Sequence, residues 1–226
     1  MRRLILIRHG ESTWNQEHRI QGNLDPCLSD RGRTQAALLA DRLKGRPFTA
    51  LHTSTLRRAL ETATVLGEAL GLFPQPADGL REINLGAWEG KTAPEIRTEW
   101  GDAYDRWLDR PLDASAPLGG ETLRAFQQRA VGALEKIHTS SLDGDLLVVA
   151  HGGVIKAYLC HILGLDLNRF FRIKVDNTAL TEIAFIGETA HLTLLNDTCH
   201  LNGQRMAVPR RSTVSGGEQP HTQSAF

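Results

Sequence analysis

Residues 145–153 read Asp-Leu-Leu-Val-Val-Ala-His-Gly-Gly. The apolar run, β-branched in part, has the composition of a strand buried on both faces. It stops on a histidine with two glycines behind it. The N-terminus repeats the arrangement: Leu4-Ile5-Leu6-Ile7 runs straight into Arg8-His9-Gly10. Strands apolar on both faces belong to parallel sheets covered by helices, so these two stretches point to an α/β fold.

The intervening sequence agrees. Ala36, Ala37, Leu38, Leu39 and Leu43 recur at helical spacing after Ser29-Asp30, and Gly45 to Pro47 stop that helix. A short strand is expected over 49–53. A second helix is expected from about Leu56 to Leu70, with Ser54 or Thr55 as its cap. Residues 12–28, 72–80 and 111–120 read as connections. Residues 92–109 predict one or two short helices with Trp100, Tyr104 and Trp107 on one side. Helices follow over Glu121–Ile137 and Val154–Leu163. A strand pair over 179–186 and 190–195, joined near Gly187, would add an antiparallel edge. Strands alternating with helices make a mostly parallel sheet covered on both faces. From Val208 the sequence turns to Pro, Arg, Ser, Thr, Gly and Gln, so 1–207 reads as one domain and 208–226 as a tail without fixed structure.

Composition narrows the function. The chain of 226 residues is 41% hydrophobic and 23% charged, ordinary values for a globular protein. Lys plus Arg equal Asp plus Glu at 26 each, which offers no support for nucleic-acid or anionic-membrane partners. No apolar run is long enough to span a bilayer, and the apolar stretch after Arg2-Arg3 is too short for a secretory signal. Cys27, Cys160 and Cys199 show neither disulfide nor metal spacing. A reducing cytoplasm is the simplest location. A homodimer through an edge strand is compatible with the pattern but not indicated by it.

Ligands of open α/β sheets bind beyond the carboxyl ends of the strands, where Arg8, His9 and His151 are expected. Gly152-Gly153 would leave free N–H groups at a helix start, which favour an anion. In Thr53-Ser-Thr-Leu-Arg57-Arg58-Ala-Leu-Glu61 both arginines fall in a first helical turn, against the helix dipole. Arg57 is spaced to pair with Glu61, and Arg58 is freer to turn toward a site. Two arginines and two histidines around one small anion suit a phosphoryl group. A neutral His9 would attack phosphorus. Arg8, Arg58 and a protonated His151 would stabilise the equatorial oxygens without a metal. A carboxylic acid would protonate the leaving alkoxide. The loop 80–90 offers Glu82 and Glu89, and spacing does not choose between them.

Four stretches in order, RHGESTWN (8–15), TSTLRRALETA (53–63), REINLGAWEG (81–90) and VVAHGG (148–153), resemble the motifs of the histidine phosphatase superfamily, also called phosphoglycerate mutase-like. The resemblance spans about residues 3–200. It implies a single three-layer α/β/α domain with a mostly parallel six-stranded sheet. It implies that His9 is the phosphoacceptor, that Arg8, Arg58 and His151 complete the phosphate pocket, and that Glu82 is the acid. It further implies phosphate contacts from Asn15 and the Gly152 backbone, and substrate-side places for Ser12, Arg19, Gln21 and Gly22. The short segment 91–119 resembles the phosphatase branch rather than the mutases. RIQGNLDPCLSDRG, GLDLNRFFRIKVDNTALTEI and LNDTCHLNG resemble metal-independent phosphoserine phosphatases and their relatives. Those enzymes tend to carry a histidine where this chain has Leu85, with His200 as a candidate stand-in. The implied function is a metal-independent phosphomonoester hydrolase. It would act through a phosphohistidine, with no cofactor, on a small phosphorylated metabolite such as phosphoserine. A cofactor-dependent phosphoglycerate mutase, and an α-ribazole or sugar phosphatase, are the alternatives.

Simpler readings apply to the remaining conspicuous residues. Trp88, Trp100, Tyr104 and Trp107 are expected to pack, although their segment could cap the site. Asp25 reads as turn chemistry. His18, His52, His138, His161 and His191 carry no partner pattern and read as structural or exposed.

Overall fold

The computed structural model describes residues 2–112, 114, 118–140 and 144–202. The expected tail, 208–226, lies outside them.

Two apolar strands form the centre. β1 (Arg2–Arg8) and β4 (Asp145–Ala150) pair in parallel, with Leu4 opposite Leu146 and Arg8 opposite Ala150. β2 (Phe48–Ser54) flanks β4 in parallel, and β3 (Pro74–Ala77) flanks β2. β5 (Leu180–Ile186) runs antiparallel beside β1, and β6 (Thr189–Asp197) closes that side as a hairpin. The order is β3-β2-β4-β1-β5-β6. β3 was not expected: its sequence, Pro-Gln-Pro-Ala, lacks the apolar alternation of a strand. Prolines suit an edge position, where no further neighbour needs their missing N–H.

Alternate residues of the central strands face two separate cores. Ile5, Ile7, Leu51, Leu147 and Val149 pack against Leu39 and Leu43 of α2 (Asp30–Leu43) and Ala59, Ala63 and Leu66 of α3 (Arg57–Leu70). Leu4, Leu6, Leu146 and Val148 face the larger core. It includes Phe126 and Leu134 of α6 (Leu123–Ser140), Val154 and Tyr158 of α7 (Gly152–Ile162), and Trp107. These are the three layers. At about 25 cal/mol per Å² of apolar area, burying one such leucine contributes roughly 1.5–3 kcal/mol.

The expected single or double helix over 92–109 is two, α4 (Ala93–Trp100) and α5 (Ala103–Asp109). Trp88 meets Tyr104 and Trp107 edge-on, with ring centroids 5.6 and 6.1 Å apart, so these aromatics pack as expected. α1 (Thr13–Gln16) is a single turn inside the stretch read as a loop. Ser12 and Asn15 create it by a reciprocal capping box. The cap of α3 differs from expectation. Leu56 occupies the cap position without a side-chain bond, and Asp25 Oδ1 accepts from the Arg57 N–H at 2.6 Å instead.

Candidate active site

The parallel register places the chemistry. Because Arg8 pairs with Ala150 and the His9 N–H donates to the Ala150 carbonyl at 2.9 Å, both strands stop together. His9 and His151 then stand side by side, ring centroids 5.2 Å apart.

The tautomer of His9 follows from its neighbours. Nδ1 lies 2.7 Å from the Gly10 carbonyl. A carbonyl only accepts, so Nδ1 carries the proton and Nε2 keeps its lone pair. Arg58 Nε donates to that lone pair at 3.3 Å. Burial, then the charges of Arg58 and Arg8, hold the His9 pKa well below the ordinary histidine value. The ring is therefore neutral, as a nucleophile must be.

Arg58 is 1% exposed. Its remaining nitrogens donate to the Leu24 and Gly22 carbonyls, each at 2.8 Å. Burial is the main cause of a pKa drawn down to about 10, which still leaves the guanidinium charged at neutral pH. Gly22 has φ +48, and a Cβ there would fall 2.0 Å from Glu89 Oε1. Only glycine fits, and its carbonyl fixes Arg58. Arg57 turns outward and pairs with Glu61 at 2.6 Å, as the spacing predicts.

His151 is fully buried. Its Nε2 meets Ser54 Oγ at 2.8 Å, while Nδ1 has no partner among the described residues. Arg8 shows the same feature: one terminal nitrogen donates to the Val175 carbonyl at 2.7 Å, but the buried Nε is unpartnered. Two orphaned polar atoms beside one another mark a place for a ligand. Burial, with Arg58, His9 and Arg8, pushes the His151 pKa well below its usual value. The ring is therefore neutral unless an anion lies beside it, as the expectation of a protonated His151 requires. A bound dianion reverses the local field and favours the charged form.

Glu82 reaches the same centre. Its Oε2 accepts from the Gly153 N–H at 3.1 Å, in the first turn of α7, and its Oε1 from the Ile83 N–H at 3.0 Å. A Cβ on Gly153 would lie 2.1 Å from Glu82 Oε1. Arg129 on α6 holds the Glu82 loop by donating to the carbonyls of Gly79, Arg81 and Glu82; no pattern in the sequence singled it out. Glu89 lies elsewhere, accepting from the Asn23 and Leu85 N–H groups at 2.9 Å.

A cavity of about 1060 Å³ opens at this end of the sheet. Arg8, Asn15, Glu82, Gly152 and Gly153 line it, together with residues of α5 and of the segment 170–177. Asn15 Oδ1 serves the α1 cap, which leaves its Nδ2 to donate to a ligand. Ser12, Gln21 and Gly22, like His9, Arg58 and His151, are not among the residues lining the cavity. Ser12 Oγ donates to Gln21 Oε1 at 2.8 Å, so these residues brace α1 and Arg58 from behind. Arg19 bonds Glu17, Gly90 and Glu95 on the surface. His200 does not stand in as a cavity group: it contacts Thr178 and Arg42. His18, read as structural or exposed, is exposed but lines the cavity. Among the described residues no group of three or more His, Cys, Asp or Glu side chains could hold a metal ion, and no helix is long and apolar enough to cross a membrane.

The two central strands of the sheet end in paired histidines, between two arginines and a carboxylate, an arrangement with the groups phosphoryl transfer requires. Residues 4–198 match the family described as the histidine phosphatase superfamily (branch 1). The chain belongs to that family. It is 35% identical to phosphoserine phosphatase 1 of Hydrogenobacter thermophilus over 201 residues, covering 89% of this chain and 95% of that one. It is 36% identical to glucosyl-3-phosphoglycerate phosphatase of Mycolicibacterium vanbaalenii over 178 residues, 75% and 78% of the two chains. The structure of YhfR from Bacillus stearothermophilus superposes with a TM-score of 0.85 at 35% identity, covering 89% of this chain and all of that one.

Proposed function

We propose that the protein hydrolyses phosphomonoesters through a phosphohistidine on His9, with Glu82 as proton donor and no metal. The chain is a phosphoric monoester hydrolase of small phosphorylated metabolites, as its family and phosphatase relatives support. Phosphoserine or a related ester is the substrate proposed. The observation that carries the mechanism is the His9 tautomer, with its proton on Nδ1 and its lone pair on Nε2.

The ester's phosphoryl group enters between Arg8, His151 and Arg58, where it displaces the 3.3 Å contact from Arg58 Nε to the lone pair. Nε2 attacks phosphorus, and the bond to the leaving oxygen breaks. Glu82 gives that oxygen its proton. The Arg8 and Arg58 guanidinium groups and the α7 N-terminus hold the negative oxygens. His151 gains a proton as the dianion binds and adds to that field. Water then attacks the phosphohistidine while Glu82 takes its proton. The P–N bond breaks, neutral His9 returns and phosphate leaves. The free cysteines Cys27, Cys160 and Cys199 suit a reducing compartment, and a cytoplasmic location is part of the proposal.

The test combines phosphate release in EDTA with rapid-quench mass spectrometry. Wild type should release phosphate from small esters and carry a transient phosphoryl group on His9. His9→Ala should lose at least a thousandfold in kcat. A label on another residue, or activity of His9→Ala within tenfold of wild type, would sink the mechanism. Isomerisation of 3-phosphoglycerate without phosphate release would assign the chain to the mutases instead.

A further inference from the structure

One buried cation in the cavity takes no part in this chemistry. Lys156 lies four residues beyond Gly152 on α7, about one turn or 6 Å along the axis and on the same side. It is 7% exposed and lines the cavity. Its Nζ lies 5.4 and 5.6 Å from the ring centroids of Phe170 and Phe171, which line the same cavity. Burial is the main cause of a pKa lowered to about 8. Arg8 lowers it further, while Glu82 and Cys160 oppose the shift. At neutral pH the ammonium keeps its charge. The other flexible cations on the wall, Arg172 and Lys174, are exposed, and Lys174 is paired with Asp176 at 3.0 Å. Aromatic faces help hold the ammonium in place, and its three donors can serve a ligand oxygen beside its other contacts.

We propose that Lys156 binds a carboxylate of the substrate and so selects small phosphorylated acids over phosphate esters that lack the acid. The proposal rests on the hydrolase reading above. The phosphoryl group occupies the N-terminal end of α7, and Lys156 stands one turn further on. That separation matches the two ends of a three-carbon phosphorylated acid. A single ammonium is a point charge and suits a monoanion, whereas a second phosphoryl group calls for the fork geometry of arginine. Asp105, Asp109 and Asp176 also line the cavity and repel a carboxylate placed beside them.

The experiment compares matched esters, 3-phosphoglycerate with glycerol 3-phosphate and phosphoserine with phosphoethanolamine. Each kcat/KM ratio is read for wild type, Lys156→Met and Lys156→Arg. Wild type should favour the acid of each pair. Lys156→Met should cut each ratio at least tenfold, through KM rather than kcat, and Lys156→Arg should restore part of it. Ratios unchanged in Lys156→Met, or no preference in wild type, would overturn the proposal. Calorimetric binding of the same pairs to His9→Ala, with and without Lys156→Met, separates the two readings. Selective binding without phosphate release would remove only the hydrolase reading. Phosphate release without selectivity would remove only the role of Lys156.

Discussion

Helices α3 and α7 both start at the carboxyl edge of the sheet, and each has N–H groups without helical acceptors. They meet them in opposite ways. At α3 the Asp25 carboxylate accepts the first N–H, and Arg58 turns from its own helix to the Gly22 and Leu24 carbonyls. At α7 no side chain caps the start. Gly152 and Gly153 expose backbone there, and the only carboxylate bonded to them among the described residues is that of Glu82, on Gly153. Asp25 closes the first N–H of α3, whereas at α7 Glu82 takes the second N–H and the proposed function leaves the first, on Gly152, for a phosphoryl group. On the proposed function, the α7 dipole serves an anion where the local sequence leaves an N–H uncapped.

If α7 is the functional end, changes there should damage chemistry far more than stability. Glu82→Gln should slow alkyl phosphates by about 10²–10⁴-fold and p-nitrophenyl phosphate far less, because nitrophenolate leaves without a proton. Equal losses on both would show that Glu82 does not protonate the leaving group. Stopped assays on paired alkyl and aryl esters decide it.

A smaller effect concerns protons. His9 and His151 have pKa values well below their unfolded value near 6.5. The unfolded chain therefore binds more protons below about pH 6.5, and stability falls as pH drops through that range. His200, lowered to about 4 by burial and Arg42, acts in the same direction. The urea midpoint should be lower at pH 5.5 than at 7.5. Inorganic phosphate should narrow the gap, since a bound anion lets His151 hold its proton. A midpoint that does not move with pH would contradict the neutral pair.

The smallest effect belongs to α3. Asp25→Ala removes a capping acceptor and should cost roughly 0.5–2 kcal/mol, measured by urea denaturation at pH 7.5. A loss beyond that range would mean that Asp25 also holds the loop carrying the Gly22 and Leu24 carbonyls.

Much of the frame could be read before the structure. An unbroken apolar run ending in His-Gly is a strong local signal, and it located β1, β4 and three of the central side chains, Arg8, His9 and His151. What escaped was set by partners distant in sequence. β3 is a strand because β2 pairs with it, against the preference of Pro74 and Pro76. Asp25 acts on a helix 32 positions away. Arg129 reads as one charge on an amphipathic helix, and only the fold brings the carbonyls of Gly79, Arg81 and Glu82 to it. Lys156 interrupts an apolar run, where a lysine ordinarily marks a solvated face; here that face is the cavity. Glu82 and Glu89 had the same local signal, and the Gly153 N–H distinguishes their positions.

The register of β1 against β4 also has a consequence for the order of assembly. His9 is synthesised well before β4, the strand that aligns it, and α7, the helix that faces it. Translation proceeds at roughly 5–20 residues per second, so the first strand waits many seconds for its neighbour. Such non-local pairing slows folding. The nascent protein thus spends that interval with His9 already made and neither Ala150 nor His151 beside it.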